Sequence, residues 1–371
     1  MRLKLCSKQG DIRRNGSGHL WWPFLFLGLM NVPLQSVALP SPEVSLDFYS
    51  RTISEALPIS EFAGKWKQAP GRGENSWTRN RLDTGVWLGD WGLSYTVRYD
   101  YQLTYNRATA DLYYRDEQDL TPPEGAVPVY LNALQLLADG IRLKRRWNLD
   151  SGLFFQADVS LLKAREFQDG TIDGLLSSDE QFFAGNASLD YRYSEDLLLA
   201  HDFEKPEGEG LTLDLVAGYQ NNQRKMFVRV EDAYSLIRWE RAPYTYGKFD
   251  TADRDVEDEV QLAPVFSGWR ELEDHEFTMP VYATGRYVEQ MSGYQLSLDV
   301  EYFADTVRYR PGIRWGNLPG NPYVGVDGEE GQWLFALSDD SARVKFQLGF
   351  DNPSLDKSHS LTVAVAWSAQ L

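Results

Sequence analysis

Apolar and polar positions alternate strictly over long stretches of this chain. Tyr95, Val97, Tyr99, Tyr101, Leu103 and Tyr105 are separated by Ser94, Thr96, Arg98, Asp100, Gln102 and Thr104. The same period runs through Leu211 to Tyr219, Tyr294 to Tyr302 and Val344 to Phe350. Successive side chains of a strand point to opposite faces, so each segment has one apolar and one polar face. The pattern predicts strands near 94–105, 109–115, 139–149, 153–163, 184–194, 197–204, 211–219 and 224–240. Further strands are expected near 258–270, 276–288, 294–303, 306–316, 331–338, 342–350 and 361–371, with another near 82–91. Asn132–Asp139 reads as a short helix within a loop. Residues 39–83 break the alternation and include the Pro/Gly-rich stretch Gln68–Ser76, which suggests an arm or plug ahead of a barrel domain at 84–371.

A soluble β-sandwich also alternates, so the connections have to discriminate. One class is short: 106–108, 150–152, 195–196, 220–223, 271–275, 304–305 and 339–341. The other is mostly longer: 116–138, 164–183, 205–210, 241–257, 316–330 and 351–360. Short turns taking turns with long loops are the mark of a transmembrane barrel, with turns in the periplasm and loops outside. The fold class is therefore all-β, a transmembrane antiparallel β-barrel of about 14–16 strands.

Leu361, Val363, Val365, Trp367, Ala369 and Leu371 form one apolar face that runs to the last residue. This resembles the closing strand of Gram-negative outer-membrane β-barrel proteins, the class that includes the porins. The resemblance implies that Val363, Val365, Trp367, Ala369 and Leu371 are an insertion signal read by the barrel-insertion machinery. That class usually finishes with Phe or Trp, and this chain finishes with Leu371.

The first 38 residues read as a secretory signal peptide. Arg2, Lys4, Lys8, Arg13 and Arg14 precede the apolar run Leu20–Leu34, and Ser36 and Ala38 precede the cut. The run is too short for a spanning helix, which needs about 20 apolar residues. Cleavage would remove Cys6, the one cysteine, and with it any disulfide or thiolate metal site.

The polar faces would line a lumen. Arg98, Asp100, Arg142, Lys144, Arg146, Asp158, Asp190, Arg192, Asp299, Glu301, Arg308, Arg310, Arg343 and Lys345 are the candidate lining. Charges are costly in lipid and must face water or one another. Either a wet conduit or a packed interior network satisfies that. Tyr95, Tyr105, Tyr191, Tyr193, Tyr282, Tyr287, Tyr302, Tyr309, Trp315, Trp333 and Trp367 cluster towards strand ends, as interfacial girdles do.

The net charge of −17 has no basic stripe against it, which excludes a nucleic-acid partner. Outer-membrane lipid and lipopolysaccharide are the expected partners instead. The acidic runs at Asp250–Glu259 and Asp327–Glu330 match no calcium loop and read as solvated. Past the leader the histidines are His201, His275 and His359, none in a catalytic spacing. No cofactor or metal is expected. The leading function is a porin-like passive channel for small solutes in the cell outer membrane. A surface-interaction barrel using loops 164–183 and 241–257, or a lipid-modifying enzyme using His201 or His359, are the alternatives.

Overall fold

The computed structural model describes residues 41–371 except 63–64, 122, 180–181, 197–202, 251–264, 330, 340 and 342. The expected leader at 1–38, His201 and the acids from Asp253 to Glu259 lie outside the described residues. The strands in chain order are β1 (Glu43–Ser54), β2 (Asn75–Leu88), β3 (Trp91–Tyr105), β4 (Gly125–Asn148), β5 (Leu153–Asp179), β6 (Phe182–Tyr193), β7 (Glu207–Gln220) and β8 (Arg224–Asp250). They continue with β9 (Val265–Phe277), β10 (Tyr282–Gln290), β11 (Tyr294–Phe303), β12 (Thr306–Trp315), β13 (Tyr323–Val326), β14 (Trp333–Ser338), β15 (Val344–Phe350) and β16 (Ser360–Gln370). Among the described residues two helices, α1 (Ile59–Phe62) and α2 (Arg107–Glu117), lie in connections.

Every pairing is antiparallel, and β16 closes on β1 from Glu43↔Gln370 to Ile53↔Ser360. Fourteen strands make the closed ring. The other two, β6 and β9, extend it on one side. The first half of β5, Leu153–Ala164, pairs with β7, and its second half, Gln168–Asp179, pairs with β6. β8 likewise pairs with β10 over Arg224–Glu231 and with β9 beyond Ile237. Closure leaves no sheet edge to be satisfied in lipid, where open edges are not tolerated.

The short turns 89–90, 149–152, 221–223 and 291–293 share one rim, which makes it the periplasmic end. The wall is uneven in height. β5 and β8 have 27 residues each and β4 has 24, whereas β13 has 4 and β14 has 6. A tilted spanning strand needs about 9–11 residues, so the β4–β8 side rises well past the membrane on the extracellular side. Register shifts at Leu137/Ala138, Leu213/Leu215 and Trp239/Ala242 bend this tall side. Its inner face then packs on itself as a dry core of Leu136, Phe167, Ile237, Trp239, Phe277 and their neighbours.

Residues 43–54 and 75–88 are not an arm or plug but two wall strands, paired along their whole length. Their outward positions include Ser50, Thr52, Thr78 and Asn80, which hid the alternation. The expected strand at 109–115 is α2, because Asn106 caps it by accepting from the Thr109 amide at 2.8 Å, and Asp111 pairs with Arg115 one turn on. Asn132–Asp139 is strand, paired on both sides within β4. The longer apparent loops at 164–183 and 241–257 are largely the tall parts of β5 and β8. The short connections 106–108 and 304–305 fall at the extracellular end, and 271–275 is inside β9.

The outward face is apolar and bare. Leu93, Ile141, Leu161, Val228, Leu298 and Leu337 are all exposed, Leu161 at 65%. A continuous belt of this kind is sustained only against lipid. Arg145 lies over the rings of Trp91 (4.5 Å) and Trp147 (5.8 Å) at the periplasmic edge, where an aromatic with a cation suits the headgroup region. Tyr95, Tyr287, Tyr302, Tyr309, Trp333 and Trp367 are exposed on the same outer surface. Tyr105, Tyr191, Tyr193 and Tyr282 are not girdle residues; all four are buried. Leu161→Arg is expected to weaken folding into vesicles by about 2–4 kcal/mol, the cost of a midplane arginine on a lipid face. A urea titration of vesicle-folded protein measures it, and an unchanged midpoint would mean that this belt does not face lipid.

Candidate functional site in the lumen

The interior face divides into three levels. At the extracellular level, Trp77 of β2 is fully buried and meets Phe303 edge-on at 4.8 Å and Tyr282 at 6.5 Å, with Ile53 beside them. Above, the connection after β1 is pinned to the wall. Glu55 accepts from the amides of Glu74 and Asn75 at 3.1 Å and pairs with Arg308 at 3.3 Å. Trp66 stacks edge-on with Tyr113 of α2 at 4.7 Å.

Below this layer is a lattice of ion pairs, several of them between strands that are not neighbours in the wall. Asp232 of β8 takes Arg98 of β3 at 2.7 Å and Arg79 of β2 at 3.1 Å, and its carboxylate is wholly buried. Asp100 also pairs with Arg98 (2.6 Å) and Arg79 (3.5 Å). Asp214 of β7 accepts from Arg81 at 2.8 Å and from Arg142, which in turn holds Asp158 at 2.9 Å. Lys144 reaches Asp83 at 3.4 Å. On the other side of the lumen Arg51 pairs with Glu301 at 3.0 Å, Arg310 with Asp327 at 3.4 Å and Arg286 with Asp299 at 2.5 Å.

The lattice depends on an irregular turn in β8. Opposite Asp214 the ladder jumps from Leu213↔Tyr234 to Leu215↔Val230, so β8 carries extra residues there. Asp232 sits at φ +54, a region that asparagine and aspartate tolerate better than other non-glycine residues. Its amide, displaced from the ladder, donates to Asp214 at 2.8 Å. Asp214 thus serves both the turn and the two arginines. Burying ions is compensated only when they are paired. Each buried acid of the lattice has a cation within 4 Å, while Asp83 Oδ1 and Arg142 Nε have no hydrogen-bond partner among the described residues.

Between the lattice and the periplasmic turns is a cavity of about 1380 Å³. Trp87, Phe154, Phe227, Gln156 and Ser297 line it, with Arg146, Lys225, Arg314 and Lys345. Its outer lip is formed by the turn residues Asn221–Gln223 and Asp339, so it opens to the periplasmic rim.

Of the sequence-derived lining, Arg98, Asp100, Arg142, Lys144 and Asp158 meet in the lattice, and Asp299, Glu301, Arg308 and Arg310 in its counterpart opposite. Arg146 and Lys345 stand in the cavity. Asp190 and Arg192 are elsewhere: they pair with each other on β6, outside the closed ring, and Arg192 also holds Glu273 at 2.6 Å. Arg343 lies in the periplasmic turn before β15. Asp327, expected in a solvated acidic loop, is fully buried beside Arg51 and Arg310. Sequence reasoning missed Arg79, Arg81, Asp83, Asp214 and Asp232. The first three do alternate, at 79, 81 and 83, but on a strand whose outer face is too polar to be read. Val363, Val365 and Trp367 lie on β16, Trp367 exposed outward, and Leu371 follows the strand with its amide on Pro42.

The two histidines among the described residues both make contacts within the wall. His359 Nδ1 contacts the Ser54 carbonyl at 2.9 Å, and Ser358 donates to Asp351 at 2.7 Å, fastening the connection before β16. His275 pairs with Asp169 at 2.8 Å and lies against both Phe167 and Phe277, which also lie against each other. Among the described residues, no cluster of ligating side chains could hold a metal ion.

No family model and no curated protein matches this chain. Among solved structures it is similar to a deltaS2S3 mutant of TodX, a monoaromatic hydrocarbon channel, at 13% identity, 90% of this chain, 91% of that one and a TM-score of 0.47. It is similar also to the Ralstonia pickettii toluene transporter TbuX, at 8% identity, 90% of each chain and a TM-score of 0.30. A third is the β domain of the Bordetella autotransporter BrkA, at 9% identity, 89% of this chain, all of that one and a TM-score of 0.29. The closed antiparallel ring and its bare apolar outer face give the chain the architecture of a transmembrane β-barrel.

Proposed function

We propose that the protein is a gated passive channel for small solutes in the outer membrane, seen here closed. The observation that carries this reading is the large open cavity that enters from the periplasm and stops at a transverse lattice of ion pairs. A barrel serving only as a wall anchor has no need to keep such a volume wet inside the membrane. Ion pairs also suit a gate, because their partners can exchange without a dry core being opened. The mixed signs of the lining fit a wet conduit better than an apolar tunnel. Insertion through the Val363–Leu371 face belongs to the same reading.

Planar-bilayer recording tests it. The wild-type protein is expected to give rare or small steps. Arg98→Ala/Asp232→Ala, which removes one guanidinium together with its carboxylate, is expected to give frequent ohmic steps of larger conductance. Silence of both proteins, with insertion confirmed by heat-modifiable gel mobility, would sink the channel reading.

One observation favours a second reading, a barrel that meets an external partner. Leu175, Trp269 and Leu272 are exposed on the tall β5–β9 side beyond the membrane level. Binding of whole cells to a partner, lost on Trp269→Ala with conductance unchanged, would support that role.

A further inference from the structure

The interior cations fall into two groups. In the lattice, Arg79, Arg81, Arg98, Arg142 and Lys144 each have a carboxylate within 4 Å. Nearer the periplasm, Arg146, Lys225, Arg314 and Lys345 have none, although all four line the cavity. Arg146 reaches only the Gln156 side chain, at 3.4 Å, and Arg314 only the Asn321 carbonyl and the Ser338 hydroxyl. The charged groups that act on Lys225 are Lys345, Arg286 and Arg146, every one of them positive. Asp47 also lines the cavity and faces Lys345, yet the whole lining carries twelve Lys and Arg against eight Asp and Glu, the opposite of a chain whose net charge is −17. Like charges drawn together across a low-dielectric wall repel, and an anion placed among them relieves that repulsion.

The same level of the cavity carries apolar rings. Trp87 lies under the Arg146 guanidinium at 4.7 Å. Phe154 packs against Gly218, where an added Cβ would stand 2.4 Å from the ring, so the ring is fixed in place. Phe227 is two residues from Lys225 on the same inner face of β8. Apolar walls with a few convergent charges are how small-molecule sites hold and orient a ligand.

We propose that this periplasmic chamber binds a small organic anion, a carboxylate with an apolar body, whose charge lies among Arg146, Lys225 and Lys345 and whose body lies against Trp87, Phe154 and Phe227. The assignment deepens the channel reading and rests on it for transport, but binding itself requires no conduction.

The test is calorimetric titration of the full-length barrel in nanodiscs with phenylacetate, its neutral counterpart phenylethanol, and inorganic phosphate. Phenylacetate is expected to bind more tightly than either, and more weakly at high salt. Lys225→Gln/Lys345→Gln is expected to weaken phenylacetate by about tenfold and leave phenylethanol unchanged. Both lysines are exposed in the chamber, so gel mobility of the variant serves as a check of folding. Equal binding of phenylethanol, unaltered phenylacetate binding by the variant, or no binding at all would overturn the proposal. Phosphate as tight as phenylacetate would overturn the apolar half of the site. The reversal potential of Arg98→Ala/Asp232→Ala in a KCl gradient separates the two claims. Conduction without anion preference and without phenylacetate binding overturns the chamber and leaves the channel. Binding without conduction in any variant overturns the channel and leaves the chamber.

Discussion

Asp232→Ala is expected to destabilise the barrel by about 3–5 kcal/mol, the usual cost of removing one partner from a buried ion pair. The carboxylate is completely buried and holds Arg98 and Arg79, so its loss leaves guanidinium charge in the lumen with one acid fewer to answer it. Arg79 keeps Asp100 and Glu231, and Arg98 keeps Asp100, which places the effect within that range rather than above it. The double variant Arg98→Ala/Asp232→Ala removes a charge of each sign and is expected to recover much of the loss. Urea unfolding from vesicles, followed by tryptophan fluorescence, gives both numbers and their coupling. A single variant within about 0.5 kcal/mol of wild type, the range of an ordinary surface change, would mean that the lattice does not brace the β8 turn.

Trp239→Ala carries the second large effect, also about 3–5 kcal/mol, from lost burial and the cavity left behind. Trp239 is fully buried, lies on Phe167 at 4.3 Å and fills the space above Gly208, where a Cβ would come within 2.7 Å of its ring. That glycine lets β7 and β8 approach with the indole between them. The reciprocal change, Gly208→Val, is therefore expected to be damaging as well, because the clash is with a wedged ring and not with a flexible tail. Proteolysis of intact cells adds a local readout. The tall part of the β4–β8 wall should become cleavable in Trp239→Ala while the membrane belt stays protected. Equal resistance of both proteins would count against a role for this core in stiffening the extracellular wall.

Strand after strand was legible in the chain because alternation is a local signal. Tyr95 to Tyr105, Leu211 to Tyr219, Tyr294 to Tyr302 and Leu361 to Leu371 fall within or next to β3, β7, β11 and β16, since a barrel wall needs one lipid face and one inner face. Legibility failed where that contrast weakens. In β1 and β2 the outer positions near the rim are Ser and Thr, and at 109–115 a capped helix happens to carry Asp and Arg at alternate places. The length of β5 and β8 was also hidden, because above the membrane a strand no longer needs an apolar outer face.

The sequence by itself determined an all-β barrel with charged side chains turned inward and an apolar belt turned outward, because both follow from the period of a single strand. Only the tertiary structure decided which charges meet. Arg98 and Asp232 are 134 positions apart, and Arg142 and Asp214 are 72 apart. Ring closure, register and the turn at Asp232 bring them together. Those same long-range terms leave Arg146, Lys225, Arg314 and Lys345 without carboxylate partners, and make one half of the lumen a lattice and the other an open chamber.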